Sequence, residues 1–467
     1  MRWNSLTFQI LRETNGDESM GFIKAYILTM PTLILLIIFI SLAFLEWRVC
    51  SLKRQRDLNL LWATVISVVS LSCLIELRYF SSDIDGNYYN SDKFIKRSSL
   101  WKLNQAYLQY NTYLASFDRC AVAQTNLQID SVKPASPLIV VVIGETFIKR
   151  HSSLYGYPLD TNPCLSKETG LITFSNVISP VNATTLSFQY FMSMARTDDT
   201  LQWYNSPLFP AFFKQSGYNV VFFSNQYVQQ GEVGFYDASA GFLNHPKIHN
   251  NLFDNRNHTR YEFDDDLISA YESHRDEIEG TGKSFIMFHL LGQHSPAVER
   301  YPQTYSYFDA NDIDRKDLSR EKRQEIAEYD NAVRYNDMVV EHIINLYRQK
   351  DCILIYFADH GEEVYDCRDY AGRKFDLSSG KEIARCQLDV PFLVWTSESY
   401  RKNHEDVVRK LEESRVKPMM LDVLPHFLLY LGGISTKWYM PKYNILDDTY
   451  EVSRKRILSN RLDYDEL

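Results

Sequence analysis

The 467-residue sequence predicts an α/β domain with a mostly parallel sheet flanked by helices, preceded by an α-helical transmembrane anchor. Three observations carry that expectation. After Pro137, short apolar runs alternate with longer helical stretches, the order expected of strands joined by crossover helices. The runs are apolar throughout, as in strands covered on both faces. Near the N-terminus, two charge-poor stretches are long enough to cross a bilayer with a hydrocarbon core about 30 Å thick.

The first stretch, "AYILTMPTLILLIIFISLAFL" at 25–45, carries no charge, and the second, "LNLLWATVISVVSLSCLIEL" at 58–77, is uncharged until Glu76. Pro31 is tolerable in a membrane helix. A cleaved signal peptide is disfavoured, because the first run is too long, starts too late and lacks a small-residue cleavage site. Arg48, Lys53, Arg54 and Arg56 lie in the short connection between the runs, which places that loop in the cytoplasm. Everything after residue 78 is then extracytoplasmic, which in a bacterium means an inner-membrane protein with a periplasmic or surface-facing domain.

The chain divides accordingly into an anchor (1–78), a linker with amphipathic helices (79–136) and an extracytoplasmic catalytic domain (137–467). A charged fraction of 23% against 45% hydrophobic is that of a packed globular protein. The net charge of −9, with no basic stripe, argues against a nucleic-acid partner. Five cysteines fall outside the anchor. A Cys367–Cys386 bridge across the intervening polar insertion is expected, and the odd count leaves at least one thiol free.

Within the domain, "PLIVVVIGE", "GYNVVFFSNQ", "KSFIMFHLLGQH", "CILIYFADHGE" and "VPFLVW" read as buried strands. "SREKRQEIAEYDNAVRYNDMVVEHIINLYRQ" reads as a long helix, and "MMLDVLPHFLLYLGGI" as a packing helix stopped by Gly432-Gly433. Ligands of open α/β sheets bind at the carboxyl ends of the strands. Four of these ends deliver Glu145 and Thr146, then Asn225, then His289 and His294, then Asp359, His360 and Glu362. Glu145, Asp359 and His360 are zinc-type ligands, which His294 could join. A divalent ion there would polarise a phosphoryl or sulfuryl oxygen. Thr184 and Thr185 precede a helical run, so a hydroxyl would stand at a helix N-terminus, beside phosphate-binding amides. An ordinary N-cap is the alternative there, as is a solvated turn for any one of the strand-end acids. Glu362 and Glu363 are expected to be solvated or to support the ligands.

"GETFIKRHSSLYGYPLDTNP", "FSNVISPVNATTLS", "HLLGQHSPAVERYP", "YDNAV" and "ADHGEE" together resemble the membrane-anchored phosphoethanolamine transferases of the alkaline phosphatase and sulfatase superfamily, from about residue 137 to 430. The resemblance implies an alkaline-phosphatase-like fold. It also implies a zinc enzyme that takes phosphoethanolamine from phosphatidylethanolamine, holds it on a threonine, and passes it to a lipid A, lipopolysaccharide or glycan acceptor. By motif position Glu145, Thr184, Asp359 and His360 match the zinc ligands and Thr184 the nucleophile. His294 matches a histidine of the substrate or of a second metal site. Asn225 and Arg373 are candidate substrate contacts, Thr146 matches no catalytic role, and His151 matches a structural position.

There are departures from the family. Residues 361–403 lack the histidine that usually follows "DHGE"; Arg373 or Lys374 could supply charge in its place. The cysteines that flank the threonine helix in many members are absent. Two membrane helices are visible where five are common, as in a short form or a chain whose start lies downstream of the true one. A phosphoglycerol transferase or phosphodiesterase using the same metal site, and a non-catalytic head-group-binding pseudoenzyme, remain alternatives. A sulfatase activity is not expected, since no cysteine sits in a Cys-x-Pro-x-Arg pattern.

Overall fold

A computed structural model of the chain describes residues 115–125, 127–133, 135–226, 241–280, 282–373 and 380–467, together with residue 108. Among these no helix is long and apolar enough to cross a membrane. The spans predicted at 25–45 and 58–77 lie outside the described residues, as does most of the predicted linker.

The core of the domain is a seven-stranded sheet: β1 (Leu138–Gly144), β2 (Leu171–Thr173), β3 (Asn219–Ser224), β4 (Asn255–Arg256), β5 (Ser284–His289), β6 (Cys352–Ala358) and β7 (Phe392–Thr396). Its spatial order is β2-β7-β6-β1-β5-β3-β4. The pairs β6–β1, β1–β5, β5–β3 and β3–β4 are parallel, while β7 is antiparallel to both its neighbours. Every residue of β1, β5 and β6 is buried, which accounts for their unbroken apolar sequence. Each fully buried Val, Leu, Ile or Phe in them contributes about 1.5–3 kcal/mol from desolvation.

Four of the five predicted strands are thus the parallel centre, and "VPFLVW" is the reversed strand. The connection from Asp359 to Pro391 begins and ends at the carboxyl edge of the sheet, so the chain re-enters from the edge it left. The short edge strands β2 and β4 carry too few residues for a periodic signal.

Four helices bear on the site: α1 (Thr184–Met192), α2 (Asp264–Glu272), α3 (Arg320–Tyr347) and α4 (Lys381–Leu388). The 28-residue α3 is the long helix read from the sequence, and its N-cap Ser319 accepts from Lys322 N–H. Its buried face carries Val333, Val340, Ile343 and Ile344, but also three polar residues that hold loops. Asp337 accepts from the backbone of Cys164 and Leu165, and Asn331 from that of Tyr307 and Phe308. Asp330 receives His151 Nδ1 at 2.6 Å and Tyr157 Oη at 2.7 Å. His151 Nε2 lies 3.3 Å from Asp366 as well, so this buried histidine joins α3 to the segment beyond β6, as its structural assignment anticipated.

The ordered domain reaches back beyond Pro137. Phe117 and Cys120 belong to its hydrophobic core, and Ser131–Val132 pairs antiparallel with Ile434–Ser435. The expected Cys367–Cys386 disulfide is present, and Cys120, Cys164 and Cys352 are free thiols.

Candidate metal centre and nucleophile

Parallel register brings the predicted residues together. Gly144 on β1 pairs with Ala358 on β6, so Glu145 and Asp359 leave adjacent strands side by side. Glu145, Asp359 and His360 are fully buried and offer ligand atoms that all lie within 4.8 Å of one another. Thr184 is the first residue of α1 rather than its cap: Ala183 is the N-cap and gives no side-chain oxygen to the first turn. The half-buried Thr184 hydroxyl lies 3.0 and 3.1 Å from the two Glu145 carboxylate oxygens and 3.1 Å from His360 Nε2. Ser187 Oγ fixes the helix by donating to the Asp359 carbonyl at 2.6 Å.

The tautomer of His360 follows from geometry. Its Nδ1 lies 3.0 Å from the Gly361 carbonyl, an oxygen that can only accept. The proton is therefore on Nδ1, and the Nε2 lone pair faces Thr184, Glu145 at 3.2 Å and Asp359 at 3.4 Å. Arg373 Nη1 donates to that same Nε2 at 2.7 Å.

Electrostatics separates the two carboxyls. Burial pushes Asp359 well above the ordinary range and the negative charge of Glu145 adds to this, against Arg373. For Glu145 burial works the same way, yet the neighbouring histidines, His360 first and then His289 with Nε2 4.0 Å away, hold it well below that range. Burial, with Arg373, lowers His360, so its imidazole is neutral and fit to ligate. Burial lowers His294 to about 4 against the pull of Glu145.

These residues fit a divalent cation. Asp359 Oδ2 is a buried carboxylate oxygen with no hydrogen-bond partner, and two adjacent buried carboxylates cost several kcal/mol each without a counter-charge. Two carboxylates, a neutral imidazole and a hydroxyl form the nitrogen and oxygen donor set that zinc takes.

The other candidates divide. His294 is half-buried beside the centre, its Nδ1–H donating to the Ser295 carbonyl at 3.0 Å and Nε2 left as the acceptor. Asn225, a candidate substrate contact, is fully buried with both ends of its amide engaged: Nδ2 donates to Asp264 at 3.0 Å and Oδ1 accepts from Tyr261 N–H. It braces the site from within, because Asp264 also accepts from the backbone of Leu291 and Gly292. Gly292 is required there: it has φ +55°, and a Cβ would stand 2.6 and 2.7 Å from the backbone of Glu145. Glu362 and Glu363 are not solvated. Both are buried, burial raises Glu362 to about 7, and Glu363 holds Arg368. Lys374 lies outside the described residues.

One residue given no role from sequence controls both carboxylates. Thr146 N–H donates to Asp359 Oδ1 at 3.3 Å, while Thr146 Oγ1 donates to Glu145 Oε1 at 2.7 Å. It does so from a left-handed backbone with φ 58°, uncommon for a β-branched residue. Tyr329 of α3 pins the turn by donating to the Thr146 carbonyl at 2.7 Å and accepting from Ile148 N–H at 2.9 Å. Sequence reasoning missed this pair because neither residue is a ligand. Thr146→Gly relieves the backbone yet removes the hydroxyl, so zinc affinity measured by chelator competition falls about 10-fold or more. Thr146→Ser stays near the parent protein.

Comparison with known proteins agrees with this site. Residues 137–433 match the sulfatase family, and the chain belongs to that family. It is a transferase-type member, similar to phosphoethanolamine transferases over nearly its whole length. Phosphoethanolamine transferase EptC of Escherichia coli is 25% identical over 484 residues, covering 98% of this chain and 81% of that protein. The C-terminal periplasmic domain of EptC from Escherichia coli in complex with Zn superposes with a TM-score of 0.63 at 27% identity, covering 73% of this chain and 96% of that one. The integral membrane lipooligosaccharide phosphoethanolamine transferase A from Neisseria meningitidis shares the fold, with a TM-score of 0.61 at 16% identity over 95% of this chain and 82% of that one.

Proposed function

We propose that this protein transfers phosphoethanolamine from phosphatidylethanolamine to a lipid A, lipopolysaccharide or glycan acceptor, through a covalent intermediate on Thr184. The observation that carries this reading is the Thr184 hydroxyl, half-exposed at the start of α1 and within 3.1 Å of both Glu145 and His360. The relatives named phosphoethanolamine transferase support the head group, and the zinc-containing EptC domain supports the metal.

In the first transfer Thr184 Oγ1 attacks phosphorus, the bond to the diacylglycerol oxygen breaks, and the threonine proton ends on the departing diacylglycerol. In the second transfer an acceptor hydroxyl displaces Thr184, and His294, neutral with Nε2 as acceptor, takes the hydroxyl proton, which passes to Thr184 Oγ1 as its bond to phosphorus breaks. Zinc bound by Glu145, Thr184, Asp359 and His360 would lower the hydroxyl pKa and offset phosphoryl charge. Amides in the first turn of α1, left without a side-chain cap, receive the phosphoryl oxygens. The anchor at 1–78 would hold the domain on the periplasmic side of the inner membrane, near donor and acceptor lipids.

The test is peptide mass spectrometry after incubating the full-length, zinc-loaded protein with phosphatidylethanolamine in detergent. A phosphoethanolamine adduct on the Thr184 peptide, with diacylglycerol released, is the expected result. An adduct formed only from phosphatidylglycerol would replace the head group, and no adduct from either lipid would overturn covalent transfer.

A further inference from the structure

We infer that Arg373 supplies the second positive charge of the site, gripping the non-bridging oxygens of the phosphoryl group on Thr184, so that one divalent ion and one guanidinium suffice; this rests on the transfer reaction proposed above. The backbone sets the position of Arg373. Beyond His360, Glu363 and Val364 pair antiparallel with Gly372 and Ala371, which folds the chain back so that the next residue returns to His360. Arg368 Nε, bonded to Glu363 at 2.7 Å, and the Cys367–Cys386 disulfide tie the outer part of this excursion to the motif and to α4.

Charge defines the need. Glu145 and Asp359 bring two negative charges, which a single divalent ion offsets. A phosphodiester adds one more, and charge on its equatorial oxygens must be stabilised during transfer. Among the described residues, Arg373 is the one lysine or arginine hydrogen-bonded to Glu145, Thr184, Asp359 or His360. A guanidinium, with five donors in a planar fork, suits a pair of phosphoryl oxygens.

The geometry makes the two cations exchange partners. His360 Nε2 has one lone pair, so it cannot serve the guanidinium and a metal ion together. Thr184 Oγ1 lies 3.1 Å from that nitrogen and Arg373 Nη1 2.7 Å from it. With Nε2 given to a metal ion, the guanidinium would turn to the phosphoryl group that Thr184 carries, a neighbour within reach of the same nitrogen.

Three full-length proteins in detergent decide this: the parent, Arg373→Gln and Arg373→Lys. Zinc affinity is read by chelator competition, inorganic phosphate affinity of the zinc-loaded protein by calorimetry, and turnover by diacylglycerol release. In Arg373→Gln, zinc binds as tightly as in the parent or several-fold tighter, phosphate binds about 10-fold more weakly, and release falls about 10²–10³-fold. Arg373→Lys recovers part of the loss, keeping the charge without the fork. Parent turnover saturates at one zinc per chain. Unchanged phosphate affinity in Arg373→Gln overturns the inference, as does weakened zinc binding with turnover restored by excess zinc. If the parent releases no diacylglycerol, the transfer reaction fails by itself, and the phosphate titration still decides the role of Arg373.

Discussion

Thr184→Ala retains less than about one-thousandth of parent turnover while its melting temperature stays within a few degrees. The rate loss follows from removing the proposed nucleophile: deletion of a single member of a covalent catalytic unit commonly costs as much as deletion of the whole unit. Stability is spared because Thr184 is half-buried and is not the cap of its helix, so the substitution leaves no cavity in the core and removes no cap. Zinc still binds through Glu145, Asp359 and His360, more weakly for the missing oxygen. The measurement is diacylglycerol release from a labelled phosphatidylethanolamine, with calorimetric melting alongside. Turnover within 10-fold of the parent would show that the phosphoryl group never rests on Thr184.

His151→Gln lowers unfolding free energy by about 3 kcal/mol near neutral pH, the scale for breaking a buried ion pair. Burial opposes the charged form of His151, but Asp330 and Asp366 prevail and raise it to about 10. The folded-state pKa therefore lies above the unfolded value of about 6.5. The contribution is fully present below pH 6.5 and is lost as pH rises through 10. The gap between parent and variant in denaturant midpoint should narrow from pH 7 to pH 10.5; a gap that stays constant would mean that His151 is held neutral. Asp330 itself is pushed up by burial against His151, so the pair contributes less than the whole shift of His151 would suggest.

The centre of this fold was legible because burial on both faces leaves a continuous apolar record. β1 and β6 are unbroken apolar runs, and each is followed at once by a carboxylate of the candidate metal centre, Glu145 and Asp359. Parallel pairing then forces Glu145 and Asp359 to meet. The direction of β7 was not legible, since an apolar strand reads the same in either sense. Tertiary wiring was also hidden. Asn225 at a strand end looked available to a substrate, yet both ends of its amide are engaged by Asp264 and Tyr261. Thr146 looked idle because its role lies in a left-handed φ and two hydrogen bonds, neither of which leaves a compositional trace. Glu363 read as either a solvated or a supporting acid, because the arginine that neutralises it, Arg368, reaches it only through the fold-back after β6.

The reversed strand β7 also bears on how such a protein can change. Since β6 leaves the sheet and β7 re-enters it at the same edge, everything from Asp359 to Pro391 is a detour that begins and ends at the mouth of the site. Changes within that detour shift no strand register and alter no crossover, provided they keep Asp366 on His151 and Arg373 on His360. Around those two anchors, preference for a new acceptor can be acquired while Glu145, Asp359, His360 and Thr184 are inherited unchanged.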